Sequence, residues 1–250
     1  MTIRLARSDL FDDPDLRGVA LCRAYSHRMD EWLSGLFEGA ASGVDGVALL
    51  AVGGYGREEL APQSDIDVLL LHTGVKGIGA VAEAIWYPIW DEGLKLGHAV
   101  RTPKEALALA ADDLDTATSL VTVRHLTGDP ALSADLAERA LALWRKRARR
   151  WLGQISARVR ARHAEAGEVA FLLEPDLKEG RGGLRDVHAI HWAELAQAVM
   201  LPGDDATLER DHDVLLDARV ELHRLTKRPG DRLLLEEQDE VAAALGYPDA

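Results

Sequence analysis

This sequence of 250 residues has a single cysteine, no long apolar run and no excess of positive charge. The single cysteine, Cys22, excludes an internal disulfide and any zinc cluster built from several cysteines. No apolar run approaches the roughly 20 residues that a membrane helix needs. The start of the chain, residues 1–13, carries charges instead of the apolar core of a signal peptide. We therefore expect a globular protein of the cytoplasm that does not act on membranes.

The charge balance argues against a nucleic-acid-binding protein. The sequence has 42 acidic and 29 basic residues, a formal net charge of −13, whereas nucleic acid backbones are held chiefly by lysine and arginine. A single nucleotide is less demanding, because a metal ion and a few local donors are enough to hold one triphosphate. The composition therefore favours work on a free nucleotide over polymerase-like work.

One stretch, residues 49–71, carries most of the chemical information. It contains an apolar segment, a glycine-rich turn, a short helical turn and a second apolar segment that opens with two acids. Asp65 and Asp67 are two residues apart, and side chains alternate along a strand, so both carboxylates project from one face. Two acids in that position repel each other unless a cation lies between them. A sparse set of oxygen ligands suits Mg²⁺ better than a calcium site made only of protein ligands.

The glycines of this stretch fit an anion beside that cation. Gly53, Gly54 and Gly56 let backbone N–H groups approach a phosphate closely. A dinucleotide fingerprint is excluded because the G-x-G-x-x-G spacing is absent, and no Gly-Lys-Ser/Thr follows as in a phosphate-binding loop. The structural alternatives are a simple tight turn for the glycines and a solvated strand edge for the two acids. An acid pair at the start of so apolar a strand is costly when unpaired, which favours the metal site.

Two sequence blocks resemble a known family. The first is Gly-Gly-Tyr-Gly-Arg at residues 53–57, followed by Leu-Ala-Pro and Ser-Asp-Ile-Asp. It resembles the nucleotidyltransferase motif of the DNA polymerase beta superfamily. Its particular sequence is similar to the form of this motif in the bacterial protein-PII uridylyltransferase/uridylyl-removing enzyme family. The second is Leu-Glu-Pro-Asp-Leu-Lys-Glu-Gly-Arg-Gly-Gly-Leu-Arg-Asp at residues 173–186, which is also similar to that family. The resemblance extends from about residue 47 to about residue 247.

The resemblance implies a fold and a domain division. It implies an α/β (α+β) protein with a polymerase beta-like nucleotidyltransferase domain, built on a small mixed sheet with an N-terminal helix, at residues 1–128. A helical domain that covers the nucleotide would follow at residues 129–250, and it is incomplete if the chain is a portion of a longer protein. Full-length members add hydrolase and regulatory domains, so a complete chain of this length would transfer a nucleotide but not remove it.

The resemblance also assigns roles to residues. Asp65 and Asp67 would be the catalytic metal ligands, and a third carboxylate usually joins them from a neighbouring strand. The strand predicted at residues 94–101 contains no acid, which leaves three alternatives: Asp91, Glu92 and Asp115. The residues expected to bind the nucleotide are Gly53, Gly54, Arg57, Ser64, Lys178 and Arg185. For Arg185 the alternative is a structural ion pair with Asp186 at a helix start.

Other segments yield simpler predictions. The histidines His98, His188 and His191 lack a second metal ligand at clear spacing, so we interpret them as core or surface hydrogen bonders. The His212-Asp213 dipeptide lacks the companions of a hydrolase site. Periodicity and capping residues predict four helices, at residues 14–38, 80–90 (with a break or kink near Pro88), 112–128 and 131–165. They also predict a capping box at residues 102–105.

The preferred function is metal-dependent transfer of UMP, or of AMP, to a hydroxyl group of a PII-type nitrogen regulatory protein. The metal would be Mg²⁺, with Mn²⁺ as the alternative, and the donor UTP or ATP. Two other functions stay open: a related nucleotidyltransferase acting on another protein or small molecule, and a nucleotide-sensing module with little catalysis.

Overall fold

The computed structural model describes residues 4–198 and 204–248. These residues form a mixed α/β fold with one small mixed sheet and many helices, which confirms the predicted fold class. The sheet has four strands: β1 (Val47–Ala51), β2 (Ile66–His72), β3 (Leu96–Arg101) and β4 (Arg124–Gly128).

The strands are arranged in the order β3-β2-β1-β4. The central strands β1 and β2 are antiparallel, with Ala51 opposite Val68. Strand β3 runs parallel to β2, and β4 runs antiparallel to β1 with an irregularity between Leu49 and Leu50. All five residues of β1 are buried, because this strand has neighbours on both edges and helices on its faces.

Eleven helices are found in the described part of the chain. In order they are α1 (Ser8–Phe11), α2 (Gly18–Ala40), α3 (Gly53–Gly56), α4 (Ile78–Asp91), α5 (Pro103–Ala110), α6 (Leu114–Val121), α7 (Pro130–Lys146), α8 (Ala148–Ala166), α9 (Leu184–Leu195), α10 (Asp204–Thr226) and α11 (Leu235–Leu245). Among them, none combines the length and the apolar character needed to cross a bilayer.

The chain folds as two compact units, each made of several segments. Unit 1 comprises the described residues of 1–9, 23–60 and 64–146, and unit 2 those of 10–22, 61–63 and 147–250. The domain division expected from the sequence, at residue 128, stays a prediction.

Apolar helix faces build the core of unit 1 around the sheet. In α4 the buried residues recur at helical spacing, and they are Val81, Ala82, Ile85, Trp86 and Ile89. Helix α7 contributes Leu136, Ala140 and Trp144 in the same way. Burial of these side chains at about 25 cal/mol per Å² of apolar surface is the main stabilising term for the sheet on which the candidate site is built.

Unit 2 has two apolar clusters. One contains Leu21, Cys22, Ala61, Leu184, Leu216 and Val220, and the other contains Leu177, Leu222 and Val241. The single cysteine is therefore a buried core residue. Helix α10 supplies residues to both clusters.

The structure corrects several of the predicted elements. The helix predicted for residues 112–128 ends at Val121, and residues 124–128 form β4 instead, because pairing with β1 satisfies backbone groups that this buried strand exposes on its second edge. The helix predicted for 131–165 is divided, since Arg147 leaves helical dihedral angles between α7 and α8. Helix α4 continues past Pro88 to Asp91.

The capping box predicted at residues 102–105 is confirmed. The Thr102 Oγ1 accepts a hydrogen bond from the Glu105 amide at 3.3 Å, and the Glu105 carboxylate accepts one from the Thr102 amide at 2.8 Å. These hydrogen bonds lower the pKa of Glu105.

Gly56 provides a test of the packing beneath the glycine turn. A Cβ atom there would overlap the carbonyl oxygen of Thr122 and lie 3.1 Å from that of Ala51. Because both neighbours are backbone atoms, we expect Gly56→Ala to reduce the free energy of unfolding by about 1–3 kcal/mol. Urea unfolding followed by circular dichroism measures the loss. Gly54→Ala is the matched control, since its Cβ would meet only Arg57 Nη2 at 3.9 Å; an equal loss in both variants contradicts the prediction.

Candidate active site

One end of the sheet brings together the residues singled out at 53–67. Because β1 is antiparallel to both β2 and β4, and β2 is parallel to β3, the end of β1 lies beside the starts of the other three strands. The pairs Ala51 with Arg124 and Asp67 with Gly97 fix this edge. The glycine turn leaves β1 there and the acidic segment enters β2 there.

The carboxylate of Asp67 lies against two glycines. A Cβ atom on Gly53 would be 3.1 Å from Asp67 Oδ2, and one on Gly97 would overlap Asp67 Oδ1. The backbone is also fixed, since the Val52 amide donates a hydrogen bond to the Asp67 carbonyl oxygen at 3.0 Å. Gly53 has a φ of +61°, a conformation that other residues adopt only at a cost. This half-buried acid is therefore held in a space that only glycine neighbours leave open.

Asp65 immediately precedes β2. Its neighbour Ile66 begins the strand and is fully buried, and Val68 is buried on that same face. Asp67 therefore projects from the opposite face of β2, and we expect Asp65, which is exposed, to project from that face as well if the extended backbone begins one residue before the strand. Two carboxylates on one face can share a divalent cation, and oxygen donors of this kind suit Mg²⁺. Their role as metal ligands stays a prediction.

Arg57 and Ser64 lie close to this pair along the chain. Arg57 follows α3, and its Nη2 is next to Gly54, 3.9 Å from the position of a Cβ there. Its Nε donates a hydrogen bond to Glu59 Oε2 at 2.8 Å, and both side chains are largely buried. Ser64 is half-buried and immediately precedes Asp65. The guanidinium group is thus oriented beside the glycine turn by a fixed acidic partner.

A second group of side chains, which the sequence did not predict, supports the glycine turn. The hydroxyl of the buried Tyr55 donates a hydrogen bond to Asp30 Oδ1 at 2.6 Å. Arg124 donates to the same oxygen at 3.0 Å and to the Tyr55 carbonyl oxygen at 3.3 Å. Burial and the Asp30 charge raise the pKa of Tyr55. Burial alone would lower the pKa of Arg124, yet its contacts with Asp30 leave it raised. The group therefore connects α2, α3 and β4.

The three alternatives for a third carboxylate differ in position. Asp91 ends α4 and Glu92 follows it, on the connection that enters β3 at the same sheet edge. Glu92 is half-buried and Asp91 exposed. Asp115 is exposed in the first turn of α6, at the end remote from the connection to β4. Chain order thus takes Asp91 and Glu92 to the edge that holds Asp67.

The second sequence block folds within unit 2 as a series of turns. Asp176 Oδ1 accepts hydrogen bonds from the amides of Lys178 and Glu179 at 2.9 and 2.7 Å. Arg185 Nε lies 3.3 Å from Glu179 Oε1. Asp186 instead accepts from Arg162 and His163, so the alternative of an Arg185–Asp186 ion pair is wrong. Lys178 and Arg185 each have an acidic neighbour within unit 2, and nucleotide binding by either residue stays a prediction.

An open cavity of about 430 Å³ adjoins this block. Its lining residues are His163, Glu168, Val169, Ala170, Arg181, Gly182 and Asp186. Arg181 and Glu168 approach each other at 3.5 Å in its wall. Lys178 and Arg185 are not among the lining residues of this cavity.

Asp231 contacts basic side chains from α10 and from the second block. Arg219 Nε donates a hydrogen bond to Asp231 Oδ1 at 2.6 Å, His223 Nε2 is 3.4 Å from that oxygen, and Lys178 Nζ is 3.6 Å from Oδ2. Burial alone would raise the pKa of Asp231, but these partners outweigh it and hold the pKa well below its usual range.

The histidines considered in the sequence take part in aromatic and polar contacts. The His98 ring packs 5.4 Å from Trp86 and 5.8 Å from Trp90, centroid to centroid. In unit 2, the buried His188 lies 6.2 Å from the ring of His212, and His212 Nδ1 is 3.7 Å from Asp213.

Comparisons with known proteins show which enzymes this chain is similar to. Residues 150–250 match the family model described as GlnD PII-uridylyltransferase. Over 98% of its length the chain is 44% identical to a bifunctional uridylyltransferase/uridylyl-removing enzyme of Streptomyces coelicolor. Enzymes of the same name from Mycobacterium tuberculosis and Caulobacter vibrioides are 39% and 36% identical over 99% and 93% of the chain. The chain is thus similar, over almost its whole length, to one portion of these uridylyltransferases.

This similarity confirms the resemblance inferred from the two sequence blocks. The chain covers 29%, 32% and 27% of those three relatives, so it spans about 30% of the length of the curated relatives it matches. What the PII-uridylyltransferase family name implies for the activity of this portion is therefore a matter of proposal.

A substitution at Gly97 tests the position of the Asp67 carboxylate. We expect Gly97→Ala to displace that carboxylate and to weaken Mn²⁺ binding at least about 10-fold, the range seen when groups that orient metal ligands are altered. Electron paramagnetic resonance of free Mn²⁺ measures the affinity. Gly79→Ala is the control, because a Cβ there would have no neighbour within 4 Å. Wild-type affinity in a folded Gly97→Ala protein would show that Asp67 does not need this space.

Asp231 provides a pH-dependent test of unit 2. At about pH 7 we expect Asp231→Asn to reduce the free energy of unfolding by about 3 kcal/mol, because Arg219 loses its charged partner. The pKa of Asp231 is lowered in the folded protein, so its stabilising contribution is present above the unfolded value of about 3.9 and lost as the pH falls below it. The difference between wild type and variant should accordingly shrink between about pH 5 and about pH 3 in urea unfolding.

Glu168→Gln is the control for Asp231, because it removes an exposed pair with Arg181. Pairs of this kind contribute about 0–1 kcal/mol. A difference for Asp231→Asn that stays constant down to about pH 3 contradicts the assignment of its lowered pKa.

Proposed function

We propose that this chain is the nucleotidyl-transferring portion of a PII-uridylyltransferase. It moves UMP from UTP, or AMP from ATP, to a hydroxyl group of a PII-type nitrogen regulatory protein in the cytoplasm. The observation that carries the proposal is the half-buried Asp67 carboxylate set against Gly53 and Gly97 at the sheet edge where β2 begins, with Asp65 one residue before that strand. The match of residues 150–250 to the family model and the name of the relatives, uridylyltransferase, support the class of reaction.

The donor atoms at this edge fit a magnesium ion, with Mn²⁺ as the alternative. Two carboxylates on one strand leave most of a six-coordinate shell to water and phosphate oxygens, as Mg²⁺ prefers. When bound, the metal would orient the acceptor oxygen and neutralise charge on the leaving group. Asp65 and Asp67 would hold it, and Glu92 or Asp91 is the neighbouring acid that chain order brings to the same edge.

The glycine turn would receive the phosphates. The first amides of a helical turn have no acceptor within that turn, so Gly53 and Gly54 can donate to the β- and γ-phosphates. Arg57 Nη2 lies beside Gly54, in position to add a charged donor. Ser64 would orient the metal cluster from its place before Asp65. We also retain Lys178 and Arg185 as proposed nucleotide ligands.

In the transfer, the acceptor hydroxyl oxygen bonds to the α-phosphorus and its proton passes to solvent or to a nearby carboxylate. The bond from that phosphorus to the bridging oxygen breaks, and pyrophosphate leaves. The chain's own contribution is to fix the triphosphate against the turn, so that the α-phosphorus faces the acceptor. The Asp30–Tyr55–Arg124 group serves this step by keeping the turn rigid.

Asp67→Asn and Asp65→Asn test the proposal. The purified chain is incubated with Mg²⁺, a PII protein and UTP or ATP labelled at the α-phosphate. We expect label on PII, and a fall of at least about 100-fold in the rate for either variant, since removal of a ligand exceeds the loss from its supporting groups. Asp45→Asn is the matched control, because Asp45 is an exposed acid outside this edge.

The remaining outcomes separate the other functions. Label on a different acceptor would identify a related nucleotidyltransferase. Nucleotide binding without transfer would identify a sensing module. Transfer at the wild-type rate by folded Asp67→Asn protein would remove this edge as the active site.

A further inference from the structure

The three residues before the acidic segment belong to the core of unit 2. Ala61 is fully buried in the cluster formed with Leu184, Leu216 and Val220. Pro62 is also buried, and Gln63 is half-buried. Ser64 follows directly, and Asp65 after it. The segment at 61–63 is thus fixed by partners far away in the sequence, immediately before a predicted metal ligand.

His223 of α10 is the side chain that contacts the end of this segment. It is 1% exposed, and its Nδ1 accepts a hydrogen bond from the Gln63 amide at 3.4 Å. Its Nε2 lies 3.1 Å from the Gly230 carbonyl oxygen and 3.4 Å from Asp231 Oδ1. Since Nδ1 accepts, the ring proton is on Nε2, where it faces two acceptors. The neighbours on both sides therefore select one tautomer and one ring orientation.

Asp231 is itself immobilised, so the His223 ring has a rigid support. Arg219 and Lys178 contact the Asp231 carboxylate, and the Asp231 carbonyl oxygen accepts from the Leu177 amide at 2.8 Å. An ordered chain of contacts thus extends from Asp231 through His223 to the backbone of Gln63. Chains of this kind orient the groups at their ends more firmly than single hydrogen bonds do.

The freedom left to Asp65 is small. Ile66 is fixed by its amide, which donates to the Lys95 carbonyl oxygen at 2.9 Å. Between the two anchored positions, Gln63 and Ile66, only Ser64 and Asp65 remain. Two residues span at most about 7 Å, so a displacement of Gln63 passes directly to Asp65.

We propose that His223 is a positioning residue for Asp65: it accepts a hydrogen bond from the Gln63 amide and thereby sets the backbone from which the Asp65 carboxylate reaches the metal. The inference rests on the proposed function, in which Asp65 is a metal ligand. His223 acts through Gln63 and contacts neither metal nor nucleotide. Removal of groups that orient a metal ligand without binding the metal commonly alters metal affinity about 10–100-fold.

Two substitutions at His223 separate its two nitrogens. Asn places an amide oxygen near the position of Nδ1 and keeps the acceptor for Gln63, whereas Gln places its amide near Nε2 and loses that acceptor. We expect His223→Gln to weaken Mn²⁺ binding about 10-fold and to raise by a similar factor the Mg²⁺ concentration for half-maximal transfer. We expect His223→Asn to stay within about 3-fold of wild type in both, although both variants lose thermal stability. Amide hydrogen exchange at Gln63 should accelerate only in His223→Gln.

Several results would overturn the proposal. Equal losses in the two variants would show a merely structural role, and wild-type Mn²⁺ affinity in His223→Gln would show no role. If His223→Gln does not fold, one glycine inserted after Gln63 separates Asp65 from its anchor while His223 keeps its partners; unchanged Mn²⁺ affinity there refutes the inference. If Asp65→Asn binds Mn²⁺ as tightly as wild type, the proposed function fails at its metal site, a result distinguishable from a failure at His223.

Discussion

The structure depends on one steric and electrostatic constraint, the placement of the Asp67 carboxylate on a strand that is otherwise apolar. A charged group loses hydration when a protein half-buries it, so it needs compensating partners or a cation. Here Gly53, which follows β1, and Gly97, near the start of β3, have no side chains and so leave room for the carboxylate. The register of the antiparallel β1–β2 pair and that of the parallel β2–β3 pair together bring these two glycines next to Asp67.

The same edge is stabilised from within unit 1 by the Asp30–Tyr55–Arg124 group. Its three side chains come from a long helix, a four-residue helix and a strand, and they share one acidic oxygen. Buried polar groups that satisfy one another in this way favour one arrangement over near alternatives, because each unmade bond is costly at low dielectric. The turn that precedes Arg57 is therefore held by side chains as well as by its own backbone.

The parts of the site that the sequence predicted are those with local signals. Asp65 and Asp67 were recognised from a two-residue period, and the glycine turn from three glycines in four positions. Gly97, Asp30 and His223 were missed because their partners are Asp67, Tyr55 and Gln63, which lie 30, 25 and 160 residues away. Strand β4 was mistaken for a helix end for the same reason, since its pairing with β1 is a tertiary interaction that no local pattern reveals. The second block was recognised by family resemblance, whereas the ion pairs that its side chains form became visible only in the structure.

Unit 2 is made of segments far apart in the sequence, and this limits when it can fold during synthesis on the ribosome. Residues 10–22 and 61–63 are synthesised early, whereas most of the unit to which they belong is encoded after residue 146. The sheet of unit 1 has all four strands once residue 128 has left the exit tunnel, but Ala61 and Gln63 must wait for α9 and α10. Long-range closures of this kind are slow. The acidic segment should thus acquire its final backbone geometry only late in synthesis, after the sheet of unit 1 is complete.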